Sequence, residues 1–248
     1  MYTGRYPSIY RYNQMAFNPS LGAYKYIDNN ICSGCATATA CQSLLSVNGY
    51  NSIGEYAQGI YERAKKTSNT TDKTGLKLLP AIKEALRTFN GEMEDHQLGY
   101  TLLSNESSAI RDHLLKEGTV VVGLRWMEGM MYPTPMIPPN TPWYKKIWYH
   151  LRSPRYATNQ GSKTGYHAVA VIGVDDKKQS FVLQNSYGTG YGNKGCVYIK
   201  YGDFNDVCLQ AYGIECTDVK TEQLWKDVWN TLWKVNTDGT RYPEYTSN

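Results

Sequence analysis

Residues 165–201 read GYHAVAVIGVDDKKQSFVLQNSYGTGYGNKGCVYIKY. Within them, 166–174, 180–183 and 195–201 are runs of β-branched and aromatic residues, side chains that fit a pleated, half-buried surface. Asp175, Asp176, Lys177 and Lys178 form a polar break between the first two runs, which are therefore expected to pair as a hairpin. Residues 119–124 add another β-branched run just upstream.

Before residue 118 the period is different. Small residues and then Leu44 and Leu45 over 36–47 suit a buried helix. Ser52 and Glu55 have the spacing of a capping box, opening a helix through Tyr56, Ile60 and Ala64. Leu78, Leu79, Ile82, Ala85, Leu86 and Phe89 recur at helical spacing, and Pro80 is tolerable because it falls in the first turn. Ile110, Leu114 and Leu115 repeat the pattern, with Gly118 placed to end the helix. Helices first and antiparallel strands afterwards make an α+β protein.

Residues 130–164 hold six of the ten prolines and show no clear period, which predicts a long inserted loop. Between Gly129 and Val174 there is no Asp or Glu, whereas Lys145, Lys146, Arg152, Arg155 and Lys163 all fall there. Such a basic loop suits a lid over a site that takes acidic substrate, or a solvated insertion. Trp225, Trp229 and Trp233 are four residues apart, which predicts one face of a helix over 221–235. The expected layout is a main domain over 1–217 and a C-terminal helix and tail over 218–248. The main domain divides into a helical subdomain at about 25–117 and a β-rich one at about 118–217, with 129–165 inserted.

An apolar fraction of 41% supports a real core, and a net charge of +4 is too mild to point to nucleic acid. No apolar run is long enough to span a bilayer. Residues 1–12 lack the apolar middle of a secretory leader, so the expectation is a cytosolic chain or a processed one. Six cysteines, Cys32, Cys35 and Cys41 early and Cys196, Cys208 and Cys216 late, are too few for a disulfide scaffold at 248 residues.

Chemistry concentrates on three of these residues. Cys35 stands directly before a helical run, where the helix N-terminus favours a thiolate. His167 heads a β-branched run, so it is expected at a strand's end with its imidazole free to act as base. The next strand delivers Asn185, whose amide oxygen can hold the second ring nitrogen. Cys32 and Cys35 have CxxC spacing, but no second CxxC completes a zinc site, and no metal or cofactor is expected. Gly190, Gly192 and Gly195 match GxGxxG, but a strand follows where a dinucleotide site needs a helix. His96, His113 and His150 read as surface residues.

The segment from Asn185 to Gly192 resembles the stretch around the catalytic asparagine of papain and the cathepsins. Asp28 to Cys35 resembles the loop before that family's nucleophile. His167 and Asn185 lie 132 and 150 residues beyond Cys35, within the family's spacing of roughly 130–150. The resemblance runs over roughly 25–203 and implies a papain-like fold and a thiol peptidase acting on protein or peptide substrates. It implies Cys35 as nucleophile, His167 as base and Asn185 as its orienting group. By the same likeness Asn29 stands where the family has its oxyanion-hole glutamine, and Tyr187 replaces the tryptophan that shields the histidine–asparagine pair. Gly75 and Tyr166 are the candidate substrate contacts. Ala36 replaces the usual aromatic residue after the nucleophile, and the family's disulfide partner for Cys32 is missing.

Overall fold

The computed structural model describes residues 9–11, 37, 53–69, 76–92, 98–116, 118–188, 190–193, 195–216, 233–235 and 241–243. Six named helices are α1 (Ile53–Thr67), α2 (Leu78–Glu92), α3 (Ser107–Lys116), α4 (Glu128–Met131), α5 (Trp143–Arg152) and α6 (Tyr201–Val207). The strands are β1 (Ile9–Arg11), β2 (Leu98–Leu103), β3 (Val120–Met127), β4 (Thr134–Pro135), β5 (Arg155–Ala157), β6 (Lys163–Asp175), β7 (Ser180–Gln184), β8 (Cys196–Lys200) and β9 (Cys208–Cys216). All nine join one sheet in the order β2-β9-β3-β6-β7-β8-β5-β4, with β1 paired to β6. A separate hairpin joins β10 (Trp233–Val235) and β11 (Arg241–Pro243).

The architecture is mixed α+β, as the change of period predicts. β6 and β7 form the expected antiparallel hairpin, and their turn is stapled from outside. Arg111 of α3 grips Asp176 with two bonds, 2.7 Å from Nε and 2.6 Å from Nη2, and the Tyr201 hydroxyl donates to the same carboxylate at 2.9 Å. Arg111 holds the Asp176 carboxyl below its ordinary range. α1 and α2 are clamped in the same manner. Buried Glu84 of α2 accepts from Arg63 at 2.7 Å and from Arg87 at 2.5 Å, and Arg87 chiefly keeps its carboxyl ionised. The apolar side chains of α1, α2 and α3 share one core cluster with those of the sheet.

Four expectations change. Residues 130–164 are not a structureless loop: they carry the end of α4, then β4, α5 and β5. The prolines sit at the joints. The Pro142 carbonyl accepts from Lys145 and Lys146 at 3.0 Å to start α5, and Pro154 lies just beyond its end. The sheet is not wholly antiparallel, because β5 runs parallel to β8. Trp233 is in a strand, so the helix read over 221–235 does not reach its end; Trp225 and Trp229 lie outside the described residues.

His113, read as a surface residue, is buried between α3 and β9, its Nε2 3.4 Å from the Ile214 carbonyl. Gly213 makes room for it: a Cβ there would come within 2.3 Å of the His113 ring. The helical period already puts His113 on the face of Ile110 and Leu114, all three buried, but the space that admits the imidazole belongs to a distant strand.

Candidate active site

His167 is the fifth residue of β6, not its first. Pairing with β3 carries the strand back through Arg125↔Tyr166 and Trp126↔Gly165 to a bulge at Met127↔Lys163. Those leading residues are mostly exposed, and His167 begins the buried stretch that runs to Asp175. Asn185 follows directly on Gln184, the last residue of the neighbouring β7. Adjacent strands thus bring the two side chains together with no help from a long loop.

The loop after Asn185 is closed at its root. The Asn185 N–H donates to the Gly195 carbonyl at 2.9 Å, the Gly195 N–H to Tyr191 at 2.8 Å, and the Asn193 N–H to Cys196 at 2.7 Å. Gly192 turns with φ +56°, and a Cβ there would lie 2.3 Å from the Cys196 carbonyl oxygen. These glycines make a tight turn into β8, a strand, which agrees with discounting a dinucleotide site.

His167 Nε2 lies 2.7 Å from Asn185 Oδ1. The same oxygen accepts from the Ser186 N–H at 2.8 Å, which fixes which end of the amide faces the ring. An amide oxygen only accepts, so Nε2 carries the proton and Nδ1 keeps its lone pair. Only 6% of His167 is exposed. Burial pulls its pKa down to about 4, and the bond to Asn185 works in the opposite direction. Among the described residues, buried Asn185 Nδ2 and Gln184 Nε2 have no hydrogen-bond partner.

Aromatic side chains wall the imidazole. The Tyr187 ring lies 5.0 Å from it, tilted by 32°, and the Trp126 ring 4.5 Å away, edge-on at 61°. Trp126 donates its indole N–H to Met131 Sδ at 3.0 Å, and the Tyr187 hydroxyl reaches the same sulfur at 3.9 Å. Met131 belongs to α4, which residues 158–162 clasp through Gly129 N–H to Gln160 O and Glu128 N–H to Ser162 O, both 3.0 Å. Tyr191 donates to the Met130 carbonyl at 2.6 Å and tightens the same corner. Trp126 and Met131 were missed in the sequence. Residues 119–124 end two short of Trp126, and extending the β-branched run by one more inward-facing position would have found it.

Cys35, Asn29 and Gly75 lie outside the described residues. Thr37, two positions after Cys35, is helical and fully buried. Tyr166 is exposed and, by strand alternation, on the face of β6 opposite His167. Lys163 Nζ sits 3.8 Å from the centre of its ring, and that ammonium lowers the phenol pKa. Cys196 is buried, and Cys208 is a buried free thiol that burial pushes up to about 12, away from thiolate chemistry. Among the described residues no group of three His, Cys, Asp or Glu could hold a metal ion. No helix among them is long and apolar enough to cross a membrane.

No family model matches the chain, and no curated protein matches it by sequence. Solved structures do match. The chain is similar to xylellain, a cysteine protease from Xylella fastidiosa, at 14% identity and TM-score 0.56, over 84% of this chain and 86% of that one. It is also similar to the proform of Amb a 11, a cysteine protease and major ragweed pollen allergen, at 12% identity and TM-score 0.52, over 87% of this chain and 68% of that one. A third likeness is to digestive procathepsin L 3 of Tenebrio molitor larval midgut, at 14% identity and TM-score 0.50, over 86% and 72%. At these identities the likeness is one of fold, and the fold is papain-like α+β.

Proposed function

We propose that the chain is a thiol-dependent peptidase with Cys35 as nucleophile, His167 as general base and acid, and Asn185 as the group that orients the imidazole. The observation that carries the reading is the buried 2.7 Å bond from His167 Nε2 to Asn185 Oδ1, which leaves Nδ1 as the basic nitrogen. In this reading Nδ1 takes the thiol proton and the Cys35 thiolate attacks the peptide carbonyl. Collapse of the tetrahedral intermediate breaks the C–N bond, and the imidazolium gives its proton to the leaving amine. Nδ1 then deprotonates water, which attacks the thioester and releases the acid and the free thiol. His167 is held neutral by burial, so its cation forms only beside an anion, and the thiolate supplies one.

The substrate cleft in this proposal lies between a helical subdomain at about 25–117 and a β-rich one at about 118–217, with 218–248 outside it. Asn29 is the side-chain donor to the oxyanion, Gly75 a backbone contact for substrate, and Tyr166, whose ring faces away from His167, a contact through its backbone. The test is an electrophilic cysteine probe with mass mapping of the adduct. A Cys35 adduct that weakens strongly in His167→Ala is expected. No Cys35 adduct, or an undiminished one in that variant, overturns the assignment.

A second reading keeps the nucleophile and changes the acceptor. Asn29 is one methylene shorter than glutamine and Ala36 is small, so the space beside the sulfur suits acyl transfer to an amine, or hydrolysis of a non-peptide amide. Efficient cleavage of a peptide library with water as sole acceptor rules this out. Turnover that Cys35→Ala abolishes excludes a third, purely binding role.

A further inference from the structure

The acid-free stretch carries a feature that the peptidase reading does not use. Three apolar residues in the first half of helix α5 face solvent: Trp143 is 75% exposed, Tyr144 57% and Ile147 53%. Trp143 and Tyr144 meet edge-on at 6.1 Å, and spacings of four and three residues put Ile147 on the side of both. Tyr132 and Met136, on either side of β4, are also exposed, and β4 is the strand against which α5 packs. Lys145 and Lys146, which lie between the aromatic pair and Ile147 in the sequence, are exposed as well. No carboxylate side chain occurs from residue 129 to 174 to offset them.

We propose that α5 and the turn before it bind the surface of an anionic lipid bilayer. A helix of ten residues is about 15 Å long, half the thickness of a bilayer's hydrocarbon core, so it lies in the interface and does not cross it. Trp and Tyr place an apolar ring and a polar edge at the headgroup level, Ile147 and Met136 enter the acyl boundary, and the two ammonium groups meet lipid phosphates. The exposed side chains favour a bilayer over a peptide. Peptides dock in grooves or along free strand edges, whereas α5 presents its aromatic residues outward from a helix and β4, the strand at that edge, has two residues.

The experiment is co-sedimentation of the full chain with vesicles of phosphatidylcholine alone or mixed with phosphatidylglycerol. Binding to the mixed vesicles only, weakening as salt is raised, is expected. Lys145→Glu with Lys146→Glu should lower the affinity at least about tenfold, given a near-fivefold contribution per lysine at an anionic surface. Trp143→Ser with Ile147→Ser should lower it comparably. Both pairs are exposed, so circular dichroism and the thermal midpoint should not move. Cys35→Ala should bind as the wild type does, which keeps this result independent of any peptidase activity. Equal binding to neutral vesicles, full binding by either double variant, or no vesicle binding overturns the proposal. Capture of polyglutamate through Lys145 and Lys146 without vesicle binding also overturns it, in favour of a soluble acidic partner.

Discussion

Trp126 and His167 sit on the same face of two paired strands, and the indole meets the imidazole edge-on with centroids 4.5 Å apart. The indole N–H is engaged by Met131, so the ring is held from behind while it covers the imidazole. Trp126→Ala should therefore cost about 3–5 kcal/mol in urea or guanidinium unfolding, as for other buried aromatics. Trp126→Phe keeps the wall but loses the bond to sulfur. It should cost less in stability, and reduced turnover with KM little changed would identify Trp126 as a positioning residue.

The tautomer and burial of His167 can be read by NMR. In Cys35→Ala the imidazole should titrate near 4, and in the wild type higher, because the thiolate stabilises its cation. Stability follows the same direction. As pH falls below 6.5 the unfolded chain takes up this proton before the folded one does, so the folded state loses up to about 3 kcal/mol by pH 4. The loss should be missing from the double variant Cys35→Ala, His167→Gln.

Asn185→Asp supplies a carboxylate where the amide oxygen now stands 2.7 Å from His167 Nε2. The His167 pKa should move upward, and the acid loss of stability should shrink with it. An unchanged His167 titration would show that the ring does not feel this position.

Gly213→Ala forces a methyl group into the His113 ring and should destabilise by about 1–3 kcal/mol. In a double-mutant cycle the same substitution should be nearly neutral in a His113→Ala background, because the clash has gone. Additive effects would count against the overlap.

Arg111→Ala removes the paired bonds to Asp176 and should cost about 1–2 kcal/mol at pH 7, a modest figure because both side chains are partly solvated. Arg111 depresses the Asp176 pKa, so the stabilisation is present above the ordinary carboxylate range. It should vanish as acid titrates Asp176, so the variant and the wild type converge there.

The elements that the sequence revealed are those whose pattern is local. Runs of β-branched and aromatic residues marked β3, β6, β7 and β8, and the 3.6-residue period marked α1, α2 and α3. β2 escaped because it is half exposed and its burial does not alternate. α5 escaped because the prolines around it looked like loop, although they stop short of the helix itself. The pairing of His167 with Asn185 could be anticipated, since a hairpin places both. Trp126 was within reach as the next inward-facing position of β3, but that it and Met131 wall the imidazole depends on β3 pairing with β6 and on α4 folding back, both long-range events.

The Ser186 N–H has a bearing on reaction dynamics through its bond to Asn185 Oδ1. A carboxamide tethered to its own chain cannot swivel to present nitrogen in place of oxygen without giving up that tether. In the proposed mechanism the imidazole therefore waits with Nε2 already protonated and Nδ1 free, without a choice of tautomer to make.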